Sequence, residues 1–296
     1  MNLHGWIIYN GNLPGNKFLD FAQWIQAAAT RKNSTTTIYK NNELLSYLGI
    51  GQLEVLRQDK NKLPDYVVFA DKDIYLAKQL EYLGVPVFNS AEAIDISDDK
   101  IATYQRLAVK NLPIPRTIIA PKIFVSGQLD KTTVQLAMES LGFPMIIKES
   151  FGSFGEQVYL IYTEEELYKM VESLQGKAFM FQEFISSSYG NDLRLQVVGD
   201  EVVAAMKRSA SDDFRANVTA GGTMTAYKPT QQEEKLAIAA TQAIGADFAG
   251  IDLLFGPNNS PIVCEINSNA HIRNMFDCTN INVADYIIGY ILNRLN

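Results

Sequence analysis

Histidine and cysteine are scarce in this chain of 296 residues, which holds only His4, His271, Cys264 and Cys278. That scarcity removes several chemistries at once. A His-rich metal centre and a histidine-based catalytic triad both lack their residues. The cysteines show no metal-ligand spacing and are expected as two free buried thiols rather than a disulfide. Any metal should be a hard cation held by oxygen ligands. No run of about 18 apolar residues occurs, which argues against a transmembrane helix. The opening residues, MNLHGWIIYN, have no basic start and no long apolar stretch, so no secretory signal is read there. Basic residues are outnumbered, 26 Lys and Arg against 33 Asp and Glu, and the net charge of -7 argues against a general nucleic-acid partner. Gly11, Pro14 and Gly15 mark a turn after the first predicted strand but do not form the GxGxxG dinucleotide fingerprint.

What is present is an ordinary globular composition, with 47% apolar and 20% charged residues, and enough length for two or three compact subdomains. Residues 1–96 are expected to form an N-terminal unit. Gly5–Asn10, Thr35–Tyr39, Tyr66–Ala70 and Pro86–Phe88 read as strands, and Phe18–Arg31 and Ile74–Leu83 as helices. This alternation predicts an open parallel α/β sheet. A boundary is expected near Asn89–Asp99, with Ser97-Asp98-Asp99 capping a helix from Lys100 to Asn111. A central unit, residues 97–185, then carries strands at Thr117–Ala120, Pro144–Lys148, Gln157–Ile161 and Ala178–Ile185. Its helices are Thr132–Leu141 and Thr163–Leu174, the second opened by a Thr-x-x-Glu capping-box signature. Residues 186–296 read as more β-rich. Strands Asp192–Val198 and Glu201–Lys207 flank a Gly199-Asp200 hairpin turn. Helix Gln231–Ile244, strands Phe248–Phe255 and Pro261–Ile266, and a closing helix Asn282–Leu292 follow.

Three stretches carry chemistry. The first is the loop Lys148-Glu149-Ser150-Phe151-Gly152-Ser153-Phe154-Gly155 between two predicted strands. Small residues let backbone N–H groups approach phosphate oxygens, and a lysine at the strand end can neutralise them. It is no P-loop, because GxxxxGK[ST] is missing, and by itself it reads more readily as a plain hairpin with a surface lysine. The second is Asp252 in one apolar strand with Glu265 and Asn267 ending the next. Glu265 and Asn267 share a face by the two-residue period of a strand. Acids inside apolar strands are costly unless paired or bound to metal, and two carboxylates with an amide suit magnesium. The bland alternative is a pair of edge-strand acids facing water. The third is a basic stretch, Lys207, Arg208 and Arg215 beside Gly221-Gly222, which either collects anions or forms a solvated loop.

In order, these stretches resemble the ATP-grasp superfamily, and in particular its RimK-like branch of glutamate and amino-acid ligases. The resemblance runs from about Asp98 to Ile288. It rests on Asp99-Lys100, KESFGSFG, Gln182-Glu183-Phe184-Ile185, Asp192-Leu193-Arg194, Ala204-Ala205-Met206-Lys207-Arg208, Asp213-Phe214-Arg215-Ala216-Asn217, Gly221-Gly222, Ala249-Gly250-Ile251-Asp252 and Glu265-Ile266-Asn267-Ser268. It implies an ATP-grasp fold: a parallel N-terminal α/β domain, a central lid subdomain and a C-terminal mixed-sheet subdomain, α+β in character. It implies ATP and one or two Mg²⁺ ions as cofactors, with Mn²⁺ an acceptable substitute. Lys100 and Lys148 would bind phosphates, and Gly152, Ser153, Phe154 and Gly155 would close over them. Gln182, Glu183, Phe184 and Ile185 would read adenine. Asp192 would hold the ribose or orient Arg194. Asp252, Glu265 and Asn267 would ligate the metal. Arg208 and Arg215, assisted by Asn217, would face the transferred phosphoryl group or the carboxylate substrate.

The implied reaction joins a carboxylate to an amine through an acyl phosphate. The partners would be a small-molecule or peptide carboxylate and an amino-acid amine, glutamate first, with no nucleic acid or membrane. The resemblance is compatible with a homo-oligomer, and the need for ATP points to the cytoplasm. An ATP-grasp small-molecule kinase and a non-catalytic nucleotide-binding regulator are the competing readings. One departure stands out. After Glu265-Ile266-Asn267-Ser268 the branch usually continues into a Ser-Pro-Gly type turn, whereas this chain reads Asn269-Ala270-His271-Ile272-Arg273-Asn274. That segment should line the acceptor side, where Arg273 is a candidate for a substrate carboxylate and His271 reads more readily as an ordinary loop histidine.

Overall fold

The computed structural model describes residues 3–59, 62–123, 130–152, 155–216 and 222–295. Ser153, Phe154, Asn217 and Gly221, all named above, lie outside the described residues.

The N-terminal strands are apolar along almost their whole length because both sheet faces are covered. Strands β1 (His4–Tyr9), β2 (Thr35–Lys40), β5 (Tyr66–Ala70) and β6 (Val87–Phe88) form the expected parallel sheet in the order β2-β1-β5-β6. On one face Trp6, Ile8, Val67 and Phe69 pack on Leu76 and Leu80 of helix α2 (Ile74–Tyr82). On the other, Ile7 and Val68 meet Phe21 and Ile25 of helix α1 (Lys17–Arg31). An antiparallel hairpin, β3 (Leu45–Gly49) and β4 (Gln52–Leu56), was not read from the sequence. β4 alternates over Gln52-Leu53-Glu54-Val55, but β3 breaks the pattern at Tyr47-Leu48, so the period-two signal covers only half of the hairpin.

Around the expected boundary at 89–99 the chain is ordered. Helix α3 (Ala91–Asp98) occupies it, capped by the Ser90 side chain accepting from the Ala93 N–H. Asp99 then caps helix α4 (Lys100–Val109), accepting from the N–H groups of Ile101 and Ala102. Asn89 is fully buried. Its amide donates to the carbonyls of Phe248 (2.9 Å) and Ser268 (3.0 Å). It also accepts from the N–H groups of Asp247 (2.7 Å) and Phe248 (3.1 Å). One side chain thus fastens the end of the N-terminal sheet to two C-terminal strands.

The central sheet is antiparallel in the order β7-β10-β8-β9, from β7 (Thr117–Ile119), β8 (Met145–Glu149), β9 (Val158–Ile161) and β10 (Phe179–Glu183). Helices α5 (Lys131–Leu141) and α6 (Glu164–Ser173) cover it. The capping box expected at α6 forms by half. Thr163 accepts from the Glu166 N–H, but the Glu166 carboxylate takes the N–H of Tyr162 rather than that of Thr163.

The C-terminal sheet contains β11 (Asn191–Val198), β12 (Glu201–Ser209), β13 (Thr223–Ala226), β14 (Phe248–Phe255) and β15 (Pro261–Asn267), in the order β13-β12-β11-β14-β15. The fold class is the expected one. Within it, this sheet pairs antiparallel throughout where mixed pairing was expected. Tight connections enforce that, such as the β11–β12 turn, where Gly199 adopts φ +59. Helix α7 (Gln231–Ala243), opened by a complete Thr230–Glu233 capping box, packs on one sheet face together with Ile96 and Leu107 from α3 and α4. Helices α8 (Arg273–Thr279) and α9 (Val283–Leu295) pack on α1, so the N-terminal and C-terminal regions share one core. Among the described residues no helix is long and apolar enough to cross a membrane.

Replacing Asn89 by Ala leaves buried backbone groups of both regions unpaired. The expected loss is about 3 kcal/mol of unfolding free energy, read from the urea midpoint. An unchanged midpoint would show that the joint does not depend on this amide.

Candidate active site

A cleft of about 710 Å³ lies between the three regions and gathers the sequence candidates onto facing walls. Its floor is the C-terminal sheet. Across three strands, Arg194 pairs with Asp252 and Asp252 with Glu265, while one step along Gln196 pairs with Gly250 and Gly250 with Asn267. Gly250 is required there, because a Cβ would stand 2.4 Å from the Ala270 Cβ, where the chain folds back over the sheet.

The acid row depends on a β-bulge. Leu253 opposes Val263, but Asp252 opposes Glu265, so β15 contains one extra residue, Cys264. Without it Glu265 would fall opposite Ile251, whose face is core. The bulge turns Cys264 and Glu265 both toward the cleft while Val263 and Ile266 stay in the core. Period two alone then places Asn267 beside them.

Asp252 is buried and already engaged. The Arg194 guanidinium grips it through Nε and through Nη2 at 2.6 Å, and Arg208 Nη2 lies 2.9 Å away. Arg208 in turn holds Asp192 through Nε (2.7 Å) and Nη2 (2.6 Å). The sequence reading offered Asp192 as a ribose ligand or a partner of Arg194. Its carboxylate is instead committed to Arg208, the residue directly opposite on β12. Burial would raise the Asp252 carboxyl, but the two arginines hold it below the ordinary carboxylate range. For Asp192, burial and then the Asp252 charge outweigh Arg208 and push it up to about 6. Lys207 does not join this group. It lies on the opposite side of β12, with its ammonium over the Phe255 ring.

The facing wall carries the lysines. Lys148 on β8 is buried, and its Nζ donates to the Tyr104 hydroxyl (3.3 Å), which itself donates to the Cys264 carbonyl (2.8 Å). Lys100 Nζ donates to the Gly152 carbonyl at the start of the glycine loop (2.8 Å). Burial pushes the Lys100 ammonium below its usual range, Glu265 opposes that and Lys148 adds to it. At the far end of the loop Arg215 Nη1 donates to the Gly155 carbonyl (2.7 Å), while Asp213 holds the rest of the guanidinium. Arg215 therefore ties the glycine loop to the C-terminal region.

At the apolar end Ile146, Phe184, Ile185 and Leu254 line the cleft. Gln182 and Glu183 support this end. The Gln182 amide donates to Thr117 Oγ1 (2.9 Å), and the Glu183 carboxylate accepts from the Arg116 backbone and guanidinium.

The opposite end was only partly legible. His271 lines the cleft, and burial, then the Lys17 charge, lowers its pKa. Arg273 does not face the cleft. It is paired with Asp20 of α1 and stacked 4.6 Å from the Trp24 ring centroid. The N-terminal region supplies Asn10, Lys17, Asp71 and Lys72 to this end. Asn10 donates to Asp71 (3.1 Å), and Asn269 donates to the Asp71 carbonyl (2.8 Å). No sequence motif marks those four.

Among the described residues no group of three or more His, Cys, Asp and Glu side chains forms a metal cage. The donor set is leaner: Glu265, the side-chain carbonyl of Asn267, and Asp252, whose carboxylate is also held by Arg194 and Arg208. It fits a hard cation that keeps water or phosphate oxygens as its remaining ligands.

Residues 97–291 match the family described as RimK-like ATP-grasp domain. The chain is 36% identical over 217 residues to a probable alpha-L-glutamate ligase of Legionella pneumophila, covering 72% of this chain and 69% of that one. It is 30% identical over 236 residues to human N-acetylaspartylglutamate synthase A, covering 79% of this chain and 59% of that one. The ATP-grasp ligase PsnB superposes with a TM-score of 0.74 at 17% identity, over 99% of this chain and 100% of that one, a likeness of fold.

Asp192 gives the ion network a pH signature. A raised carboxyl means the folded protein keeps a proton that the unfolded chain releases, between about 6 and the ordinary value of about 4. Asp192 therefore costs stability above pH 6, and that cost fades as the pH falls. Urea titrations should show the parent gaining on Asp192→Asn from pH 7 down to pH 4. A pH-independent difference would mean the carboxylate stays ionised.

Proposed function

The chain belongs to the RimK-like ATP-grasp family, and from that premise we propose that it joins a small-molecule or peptide carboxylate to an amino-acid amine, with glutamate the first candidate. It is an ATP-dependent ligase. The observation that carries the finer reading is the cleft itself, which faces two lysines with an Asp252–Glu265–Asn267 row across a space large enough for a nucleotide and a second substrate. The names of the relatives from Legionella and human, both referring to glutamate, support glutamate as the amine.

In this reading one carboxylate oxygen attacks the γ-phosphorus as the bond to ADP breaks. The amine then attacks the acyl carbon, loses a proton, and phosphate leaves. Such phosphoryl transfer needs alignment and charge neutralisation rather than a protein nucleophile. The one thiol in the cleft, Cys264, is pushed up by burial and is a poor nucleophile in that state. Lys148 and Lys100 hold the phosphates. Ile146, Phe184, Ile185 and Leu254 take the base. Arg208 and Arg215 meet the charge on the transferred group. Magnesium, held by Glu265, Asp252 and Asn267, supplies neutralisation of the phosphate oxygens when bound, and Mn²⁺ would serve in its place. The glycine loop, held at its two ends by Lys100 and Arg215, excludes water that would destroy an acyl phosphate. We assign residues 1–96 to the acceptor wall, 97–185 to the lid and hinge, and 186–296 to the metal floor, and place the enzyme in the cytoplasm, where ATP is available.

Incubation with ATP, Mg²⁺ and pools of amino acids and short peptides tests this. Phosphate release should require both a carboxylate and an amine, and mass spectrometry should find a product lighter by one water than its parts. A phosphorylated product without condensation would make the protein a kinase instead. Glu265→Ala with Asn267→Ala should lower kcat/KM by about 100-fold or more, and unchanged turnover would remove the metal assignment. Lys148→Ala should weaken ATP binding about 10- to 100-fold in titration calorimetry. Full affinity would take Lys148 out of the phosphate site.

A further inference from the structure

The N-terminal sheet reverses its strand order at the cleft. In β2-β1-β5-β6 the chain runs from β1 outward to β2, then returns to the other side of β1 as β5. Such a reversal leaves a crevice beyond the carboxyl ends of the two strands, where open parallel sheets bind ligands. Tyr9 and Ala70 lie level at those ends. The residues that follow them, Asn10 and Asp71, both line the cleft. The ligation described above uses neither.

Asp71 is a buried carboxylate, 7% exposed. Asn10 Nδ2 donates to Oδ1 at 3.1 Å and to Oδ2 at 3.3 Å, and the Lys72 N–H donates to Oδ1 at 2.8 Å. These donors orient the group without neutralising it. The Lys72 ammonium goes to Asp98, and among the described residues no basic side chain forms an ion pair with Asp71. Burial accordingly pushes its carboxyl above the ordinary range. A buried charge without a counter-charge is costly, and a carboxylate has acceptor sites beyond those filled here.

The surroundings are positive. Lys17 lines the same end, close enough to Arg194 and His271 for its charge to be felt by both neighbours: Arg194, after burial, lowers the Lys17 ammonium, and Lys17 lowers His271. The Asn269 amide, donating to the Asp71 carbonyl (2.8 Å), ties Asp71 to the chain just beyond Asn267 of the metal row.

We propose that Asp71 holds a positively charged amino group on the carboxylate substrate, which is therefore an amino acid with its amino group free. The inference rests on the carboxylate–amine ligation proposed above. A carboxylate beside an ammonium keeps it protonated, and a protonated nitrogen has no lone pair with which to attack an acyl carbon. The nitrogen at Asp71 is thus not the reacting amine. A molecule held there turns its other end toward the metal row, and Lys17 and Arg194 suit that end to a carboxylate. The product is then a peptide whose amino terminus is free.

Titration calorimetry on the full chain, loaded with Mg²⁺ and AMP-PNP, tests this with the common L-amino acids, each beside its N-acetyl derivative. At least one free amino acid should bind about 10- to 100-fold more tightly than its N-acetyl form, as expected for a hydrogen bond to a charged group. Asp71→Asn keeps the shape and removes the charge, and should abolish that preference by weakening the free form alone. Lys17→Met, at the exposed start of α1, should weaken both forms alike. Absence of binding by every free amino acid would overturn the inference. So would equal binding of the N-acetyl forms, or a preference that survives Asp71→Asn. If Asp71→Asn fails to fold, Lys17→Met decides, and unchanged affinity in it counts against the site. AMP-PNP is not turned over, so failure here leaves the ligase reading standing. Asp71-dependent binding without condensation in the ATP assay would instead remove the ligase reading alone.

Discussion

The floor of the cleft is organised by two arginines and two aspartates that neutralise one another inside an antiparallel sheet. Buried charges of this kind are tolerated only when every member is paired with good geometry. Here each carboxylate meets a guanidinium on the neighbouring strand, and Arg208 touches both acids. The arrangement locks the strand register, because a shift of one residue would strand a charge in the core. It also sets the terms for ligand binding. A divalent cation at Asp252 must share that carboxylate with Arg194 and Arg208 or displace them. The freed positive charge then requires an anion. At the proposed site, metal and phosphate binding would therefore be coupled through one buried carboxylate.

Around that floor, the walls are held by ties between regions far apart in sequence. Asn89 joins the parallel sheet to β14 and to the end of β15. Asp20 captures Arg273, and Asn269 reaches the Asp71 carbonyl. These contacts fix the segment after Asn267 against α1 and β5, so this end of the cleft is built jointly by the first and last parts of the chain. The glycine-loop end is held by hydrogen bonds from both neighbouring regions. Lys100 and Arg215 donate to two loop carbonyls, and Ser150 is bonded to Asp99 and to the Lys100 N–H.

Much of this was legible in the residues themselves. Strands with buried apolar runs, capped helices and the Gly199-Asp200 turn are local signals, and they place most elements of all three regions. The hairpin at 45–56 escaped because its apolar residues lie on both faces, so β3 shows no clean alternation of apolar and polar residues. Helix α8 escaped because Ile272–Thr279 is short and is stabilised by packing on the shared core rather than by a side-chain cap. The 89–99 segment read as a boundary because its polar residues signal a linker, yet they serve as caps and as an interdomain clamp.

The sequence by itself determined the chemistry available. Oxygen ligands, two lysines, a glycine loop and almost no histidine leave phosphate and hard-cation binding available, and the ordered resemblance of these stretches to the ATP-grasp superfamily adds the expectation of ligation. Tertiary structure decided which of those groups act together. The Cys264 bulge, and not the two-residue period, brings Glu265 level with Asp252. Cross-strand register gives Asp192 to Arg208 and Asp252 to Arg194. Close packing of α1 removes Arg273 from the cleft. Each depends on contacts between strands and helices distant along the chain, where the energies of pairing and burial outweigh any local preference.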